Sequence, residues 1–256
     1  MTDTGPPAPS RRPFLTATWR DLVMLTWAVP AADLAPYLAD GTELDLWQGS
    51  ALASIVAFDF RDTRVLGIPI PWHIRFPEVN LRFYVKRQVG STWRRGVIFV
   101  QEMVPRLAIA TVARTVYGEP YVARRMRRTV GPHASLATVS PEQPQSIAFE
   151  WRRDGRWEGV HARVEHTPEP MKPGSVEEFI AEHYWGYTRR PGKPTLEYEV
   201  THPRWHVSIP TSWRVDADLP RLYGPTLATS LRADPVSTFV ADGSAVAVYP
   251  GVPLRG

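Results

Sequence analysis

The segment Val79 to Arg87 alternates strictly between apolar and polar side chains, and it restricts the fold more than any other feature of the chain. Successive side chains of a β-strand point to opposite faces, so this segment predicts a strand with one apolar and one polar face. The apolar face carries Val79, Leu81, Phe83 and Val85, and the polar face carries Asn80, Arg82, Tyr84 and Lys86. In a barrel the polar face points into the lumen or out to water, and the pattern leaves both open.

Many further segments have the β-branched and aromatic content of strands, whereas few have helical spacing. The predicted strands are Thr16–Val29, Glu43–Trp47, Ala51–Phe60, Gly96–Met103, Glu119–Thr129, Ser146–Arg153, Arg156–Glu165, Thr195–Val200, Trp205–Ile209 and Thr238–Tyr249. The predicted helices are Pro30–Leu38, Pro105–Tyr117 and Ser175–His183, the last opened by a capping box. Asp154-Gly155 predicts a hairpin turn. We therefore expect an α+β fold, mainly antiparallel β, closed into a barrel or strongly curved, with a few short helices.

The chain shows neither an internal repeat nor a linker that would divide it. Residues 1–13 are polar and rich in proline, and we expect a disordered tail there. Residues 14–256 are expected to form a single domain, since barrels of this length are common.

Composition excludes several classes of protein. The chain has no cysteine, which excludes disulfides and thiolate chemistry. The apolar run Leu22–Ala32 is too short to span a membrane, and the N-terminus lacks the apolar core of a signal peptide, so we expect a cytoplasmic protein without a membrane partner. No nucleotide-binding or nucleophile-elbow motif is present, and Pro203 interrupts the pair His202 and His206, so no cofactor and no metal are expected.

Two neighbouring segments carry the candidate site residues. Leu66–Pro77 contains three prolines and predicts an ordered loop or lid, and it leads into the alternating strand. On the polar face and its approach lie the candidate ligand-binding residues His73, Glu78, Asn80, Arg82 and Tyr84, with exposure to solvent as the alternative.

The second segment runs from Glu102 to Arg106, where a strand leads directly into a predicted helix. Arg106 lies in the first helical turn, where a cation is unfavourable unless a carboxylate or a bound anion compensates it. An ion pair with Glu102 and an anionic ligand are the two alternatives. We take Glu102 and Arg106 as candidate catalytic residues and Tyr117 as a further ligand-binding donor.

Arginine outnumbers lysine strongly, and four arginines cluster at Arg124, Arg125, Arg127 and Arg128. One short cluster is weak evidence for nucleic-acid binding. We interpret it as a solvated strand end or hairpin and expect no nucleic-acid partner.

Four motifs in order give the chain a family resemblance over nearly its whole length after the tail. They are Phe14–Arg20, Gly41–Asp45, Phe76–Arg82 and Glu182–Thr188. The sequence resembles the YqjF-like family of uncharacterised bacterial proteins, which is similar to the acetoacetate decarboxylase-like superfamily. That resemblance implies a cone-shaped antiparallel β-barrel with a few helices and a central cavity.

The resemblance also marks where the chain departs from the decarboxylases. In those enzymes a Pro-Lys-Lys-Leu segment supplies the lysine that forms a Schiff base. The matching stretch here is Pro105-Arg106-Leu107, and Lys86 is the lysine closest to it. Arginine stays protonated and forms no productive imine, so the Schiff-base mechanism is not expected. The arginine of the decarboxylases in the strand before the first helix falls near Ala28 here.

Together these features predict a barrel that binds a small molecule, anionic or containing a carbonyl group, without a Schiff-base lysine. The alternative is a lyase, isomerase or cyclase that uses acid–base chemistry at Glu102 and Arg106 without an imine. The sequence leaves open whether the protein is an enzyme, and a homo-oligomer stays an alternative to a monomer.

Overall fold

The computed structural model describes residues 11–71, 73–105, 118–133 and 135–254. Residues 106–117 of the predicted helix Pro105–Tyr117, which include the candidate residues Arg106 and Tyr117, lie outside the described residues, and so does most of the predicted tail.

Strands dominate the described residues. They are β1 (Leu15–Val29), β2 (Glu43–Leu44), β3 (Ala51–Val65), β4 (Ile68–Pro69), β5 (Phe76–Val89), β6 (Thr92–Val104), β7 (Tyr121–Ala123), β8 (Met126–Gly131), β9 (Gln145–Arg153), β10 (Arg156–Val164), β11 (Glu169–Pro170), β12 (Trp185–Thr188), β13 (Leu196–Thr201), β14 (His206–Ser208), β15 (Ser212–Asp216), β16 (Ser237–Ala241), β17 (Ala245–Val248) and β18 (Val252–Pro253). The α-helices are α1 (Ala31–Leu34), α2 (Val176–Ala181), α3 (Leu219–Tyr223) and α4 (Pro225–Ser230). Two 3-10 turns lie at Ala35–Tyr37 and Leu136–Thr138.

Seven strands close into a barrel in the order β1-β3-β5-β6-β12-β13-β17, with β17 pairing back onto β1. The pairs in this ring are antiparallel except β6–β12, which is parallel. The predicted fold class, mainly antiparallel β in a closed barrel with a few short helices, is confirmed.

A bulge in β1 allows this strand to serve two neighbours. Its first half pairs with β17 and closes the barrel, whereas its second half pairs with β16. Between them the register against β3 shifts from Arg20 to Val23, and Asp21 adopts a φ of 56°. An extra residue in one strand bends that strand and increases its twist, so this bulge helps the sheet to curl.

The two faces of the barrel strands meet different surroundings. On β5, the apolar face packs in a core shared with the second sheet, which has the order β15-β10-β9-β8. That core joins Leu81 and Phe83 of β5 with Ile147 and Phe149 of β9. The opposite face of β5 points into the lumen, because Glu78, Asn80 and Arg82 line its cavity. Of the two orientations that the sequence leaves open for the polar face, these residues therefore have the one that points into the lumen.

The arginine cluster departs from its prediction in two ways. The predicted strand Glu119–Thr129 is wrong as one element, because the chain breaks at Arg124 and Arg125 and places β7 and β8 in different sheets. Arg128 is also not a solvated side chain: it is 14% exposed and pairs with Asp21, a contact that fastens the second sheet to the barrel. Arg125 and Arg127 are exposed and match the expectation, and Arg127 pairs with Glu150.

Other local predictions agree with the structure in most cases. Asp154 and Gly155 both have positive φ and turn β9 into β10, as the hairpin signal predicts. Ser175 caps α2 by accepting from the Glu178 amide at 3.2 Å, although Glu178 accepts from Gly174 rather than from Ser175. The loop Leu66–Pro77 is shorter than predicted, since it contains β4 and β5 starts at Phe76. The strands β12 and β15 and the helices α3 and α4 were not predicted. In the part of the chain described here, no helix has the length and apolar character needed to cross a membrane.

Candidate functional site

A cavity of about 350 Å³ occupies the lumen of the barrel. Side chains from the inner faces of β1, β3, β5 and β6 supply most of its wall. The wall is mainly apolar and aromatic, and its larger members are Trp19, Met24, Phe58, Phe60, Phe76 and Phe99. Polar groups are concentrated on one side: Glu78, Asn80, Arg82, Glu102, Glu119, Tyr121 and Tyr198. The cavity thus suits a molecule with an apolar body and one polar end.

The polar side is built on three adjacent strands. Asn80 lies opposite Glu102 in the β5–β6 pairing, and Glu102 lies opposite Tyr121 in the β6–β7 pairing. Glu78 and Arg82 flank Asn80 two residues away in either direction, so they share its face of β5. Strand register therefore brings these five side chains together.

Glu78 is an ionisable group held by two donors. Asn80 Nδ2 donates to Glu78 Oε1 at 3.0 Å, and the Tyr121 hydroxyl donates to Oε2 at 3.2 Å. Burial raises the pKa of Glu78 to about 7, since the charged form loses its hydration, while these two hydrogen bonds and the charge of Arg82 oppose the rise. Glu78 therefore exchanges its proton near neutral pH.

Glu119 is a second buried carboxyl group, and it also accepts from two hydroxyls. Thr188 Oγ1 donates to Glu119 Oε1 at 2.5 Å and the Tyr198 hydroxyl donates to the same oxygen at 2.8 Å. Burial raises the pKa of Glu119 to about 7 against these hydrogen bonds. Because both hydrogen bonds stabilise the ionised form, the pKa of Glu119 is lower than that of a carboxyl group buried without donors.

Glu102 is the third buried carboxyl group of the cavity. Burial raises its pKa well above the ordinary value, and the charges of Glu119 and Glu78 raise it further. A hydrogen bond with Tyr121 opposes this rise. Glu102 Oε2 has no hydrogen-bond partner among the described residues.

Arg82 is a buried guanidinium without an adjacent carboxylate in the described part of the chain. One of its nitrogens lies 3.9 Å from the sulfur of Met24, and its Cζ atom lies 5.8 Å from the centre of the Tyr84 ring. Arg82 Nε has no partner among the residues that the structure describes. A buried charge is costly without a counter-charge, so this position suits an anionic ligand.

The structure brings together five of the predicted site residues, namely His73, Glu78, Asn80, Arg82 and Glu102. The His73 ring contacts the Pro71 carbonyl at 2.8 Å. Tyr84 is not among the residues that line the cavity: its hydroxyl bonds to Ser54 Oγ at 2.5 Å and its ring packs on Phe179. Arg106 and Tyr117 lie outside the described residues, and their roles stay predictions.

Four polar residues of the cavity were missed by sequence reasoning: Thr63, Glu119, Tyr121 and Tyr198. Glu119 and Tyr121 lie in the segment predicted as one ordinary strand, and Tyr198 in another. No local pattern marks them, since their place in the site depends on the pairing of β7 with β6 and of β13 with its neighbours.

The described residues contain no group of three or more side chains suited to hold a metal ion. The cavity wall described here includes none of the three lysines. Lys86, the lysine on β5, pairs with Glu43 at 3.2 Å instead.

Sequence comparison finds a family match over most of the chain. Residues 16–245 match DUF2071, described as an uncharacterized conserved protein. The uncharacterized protein YqjF of Bacillus subtilis (strain 168) is 28% identical over 193 residues, which cover 74% of this chain and 72% of that protein.

Solved structures with a similar fold include enzymes of known name. The enduracididine biosynthesis enzyme MppR, complexed with pyruvate, has a TM-score of 0.64 at 15% identity and covers 97% of this chain and 93% of its own. Acetoacetate decarboxylase from Legionella pneumophila has a TM-score of 0.63 at 11% identity, with 99% and 94% covered. An acetoacetate decarboxylase-like enzyme from Sphingomonas wittichii RW1 has a TM-score of 0.64 at 12% identity, with 98% and 97% covered. At these identities the likeness concerns the fold.

Proposed function

The chain belongs to the DUF2071 family, and we propose that its barrel binds a small molecule with an apolar body and an anionic or carbonyl-containing head group. One observation carries the proposal: the buried guanidinium of Arg82 lines the cavity and forms no ion pair with a carboxylate among the described residues. A ligand anion would form that ion pair in a site shielded from water. The aromatic wall would hold the apolar body of the ligand.

The size of the cavity supports a small ligand. Sites for small molecules commonly have volumes of roughly 300–1,000 Å³. The value of about 350 Å³ is at the lower end of that range. Pyruvate and acetoacetate are the probes with which to begin, since MppR is solved with pyruvate and two further neighbours are named for acetoacetate decarboxylation.

The proposal excludes a Schiff base formed by a lysine in the cavity. Lys86 is not among the residues that line the cavity, and it pairs with Glu43 at 3.2 Å. Arginine at position 106 cannot take that role, because it stays protonated and forms no productive imine. We therefore consider chemistry on a bound carbonyl compound that needs no imine and uses the acid–base groups of the cavity.

The three buried glutamates favour a second candidate, an enzyme that moves protons without an imine. A general base works best with a pKa near the operating pH, and the pKa of Glu78 is about 7. Glu78 would take the proton from the carbon beside the ligand carbonyl, leaving an enolate whose oxygen Arg82 stabilises. Protonated Glu102 would return a proton to the enolate, and the predicted Arg106 would add a second cation.

A thermal-shift screen tests binding directly. Wild type is heated with pyruvate, acetoacetate, longer 2-oxo acids, simple carboxylates and inorganic phosphate. A compound at 100 times its dissociation constant adds about 2.7 kcal/mol of stability. For a chain of this length that raises the midpoint by roughly 5–10 °C. We expect such a shift for acids with an apolar tail.

Two variants make the screen specific. Arg82→Leu removes the cavity cation and should abolish the shift, whereas Lys86→Met removes a cation from the outer end of the same strand and should retain it. A folded wild type that responds to none of the acids, or equal shifts in both variants, would refute binding at Arg82.

Proton transfer has a separate assay. The bound 2-oxo acid is incubated in D₂O, and NMR follows exchange of the hydrogens beside its carbonyl group. We expect exchange faster than in buffer and slowed at least tenfold in Glu78→Gln, with binding retained. Binding without accelerated exchange would refute the proposal of an enzyme and would be consistent with a binding protein.

A further inference from the structure

We infer that the ligand of this cavity is a hydroxy acid, that is, an apolar acid with a hydroxyl group next to its carboxylate. The inference rests on the proposed function and specifies its ligand. It comes from buried polar atoms of the cavity that the described protein leaves without hydrogen bonds.

Five buried polar atoms without a partner among the described residues belong to side chains that line this one cavity: Trp19 Nε1, Thr63 Oγ1, Asn80 Oδ1, Arg82 Nε and Glu102 Oε2. Buried polar atoms are nearly always hydrogen-bonded, because an unsatisfied one costs about 1–3 kcal/mol. Their concentration in one lumen points to a bound molecule that satisfies them.

Three of the five form one patch at the polar side. Asn80 and Arg82 lie two residues apart on β5 and therefore share one face. Glu102 lies opposite Asn80 on β6, so the three side chains project from neighbouring positions of β5 and β6. Directly opposite residues have Cβ atoms about 4.5–5.5 Å apart, within the span of a small head group.

The chemistry of the three atoms defines the complement that they need. Arg82 Nε is a donor and requires an acceptor, which a carboxylate supplies. Asn80 donates to Glu78 through Nδ2, and this orients its Oδ1 as an acceptor. Glu102 Oε2 also has no partner among the described residues, and a carboxyl oxygen accepts a hydrogen bond or, when it carries the proton, donates one.

A plain carboxylate can pair with Arg82 Nε but offers nothing to Asn80 Oδ1. It has no proton at neutral pH, so Asn80 Oδ1 would stay unsatisfied or repel it. A hydroxyl group beside the carboxylate supplies the missing proton to Asn80 Oδ1 and leaves the carboxylate to Arg82. A 2-oxo acid supplies such a proton only as its enol or its hydrate, so the keto form should bind more weakly than the hydroxy acid.

Calorimetric titration with four acids of equal chain length tests the inference: hexanoate, 2-hydroxyhexanoate, 2-methoxyhexanoate and 2-oxohexanoate. We expect 2-hydroxyhexanoate, in one of its enantiomers, to bind at least tenfold tighter than hexanoate. The methoxy acid keeps the ether oxygen but cannot donate, and it should bind no tighter than hexanoate. This comparison needs only the wild-type protein.

Variants locate the hydroxyl group. In Asn80→Leu the hydroxy acid and hexanoate should bind within about twofold of each other. In Lys86→Met, which changes a side chain of the same strand outside the cavity wall, the tenfold preference should persist.

The outcomes separate this inference from the proposed function. If none of the four acids binds, or if Arg82→Leu binds them as well as wild type does, the proposed function fails. If the acids bind in an Arg82-dependent manner but the methoxy acid, the oxo acid or hexanoate equals the hydroxy acid, only the hydroxy-acid inference is overturned.

Discussion

Replacing Glu78 by glutamine should stabilise the protein at pH 8, although it removes a charged residue from the proposed site. Glutamine has the same shape, and its Oε1 can keep the hydrogen bond from Asn80 that the carboxylate has at 3.0 Å. It avoids the cost of ionising a carboxyl group that is fully buried. Sites that bind ligands are often built at the expense of stability.

The magnitude follows from the pKa of Glu78, which burial raises from 4.5 to about 7. Between those values the folded protein binds more protons than the unfolded chain, so the contribution of Glu78 to stability falls as the pH rises. Above pH 7 the loss is complete and amounts to about 3 kcal/mol, at 1.36 kcal/mol for each pH unit between the two pKa values. Glu78→Gln should therefore equal wild type near pH 4.5 and exceed it by about 3 kcal/mol at pH 8.

Urea unfolding at a series of pH values from 4.5 to 8 measures this difference. The comparison between variant and wild type is needed because burial lowers the pKa of His183 and of His202 to about 4, so these histidines make stability rise with pH between about 4 and 6.5. Both groups are present in both proteins, and their effect cancels in the difference. Glu43→Gln is the matched control, since Glu43 is exposed, and it should change stability by less than about 1 kcal/mol throughout. A Glu78→Gln protein that is no more stable than wild type at pH 8 would refute a buried, protonatable Glu78.

Three further predictions concern other parts of the molecule. Arg128→Met should lower the free energy of unfolding by about 3–5 kcal/mol, because buried Asp21 loses one of its two arginine partners. Arg127→Met, at an exposed ion pair, should lower it by less than about 1 kcal/mol. Chemical unfolding measures both variants, and equal losses would contradict the structural role of Arg128. Gly186→Ala should lower the melting midpoint and weaken ligand binding, because a Cβ atom there would lie 2.1 Å from the ring of Tyr198, which holds Glu119; an unchanged midpoint would show that this ring moves freely. Arg106→Leu should stay folded but lose the thermal shift with acids, and an undiminished shift would show that Arg106 does not contribute to the binding site.

The sequence predicted the strands well because their signal is local. The alternation in Val79–Arg87 defines two faces, and both faces are found. It could not decide between lumen and solvent, because polar side chains are compatible with either until the barrel closes. Closure depends on β1 pairing with both β3 and β17, and those pairings join residues far apart in the chain.

The same limit explains the errors in the site. Tyr84 shares a face with Arg82, whose guanidinium lies 5.8 Å from its ring, but that ring packs on Phe179 and His183 and is not part of the cavity wall. Tyr121 enters the site only through parallel pairing of β7 with β6, which no local pattern reveals. Arg128 looked solvated because its partner Asp21 lies in a distant strand.

A crystal structure with the tightest-binding acid of the titration series tests the central claim most directly. We predict density in the lumen with the carboxylate against Arg82 and the adjacent hydroxyl group facing Asn80 and Glu102, and with the apolar tail along Phe58 and Phe60. Density for the acid elsewhere on the protein, with the lumen holding only water, would contradict the account.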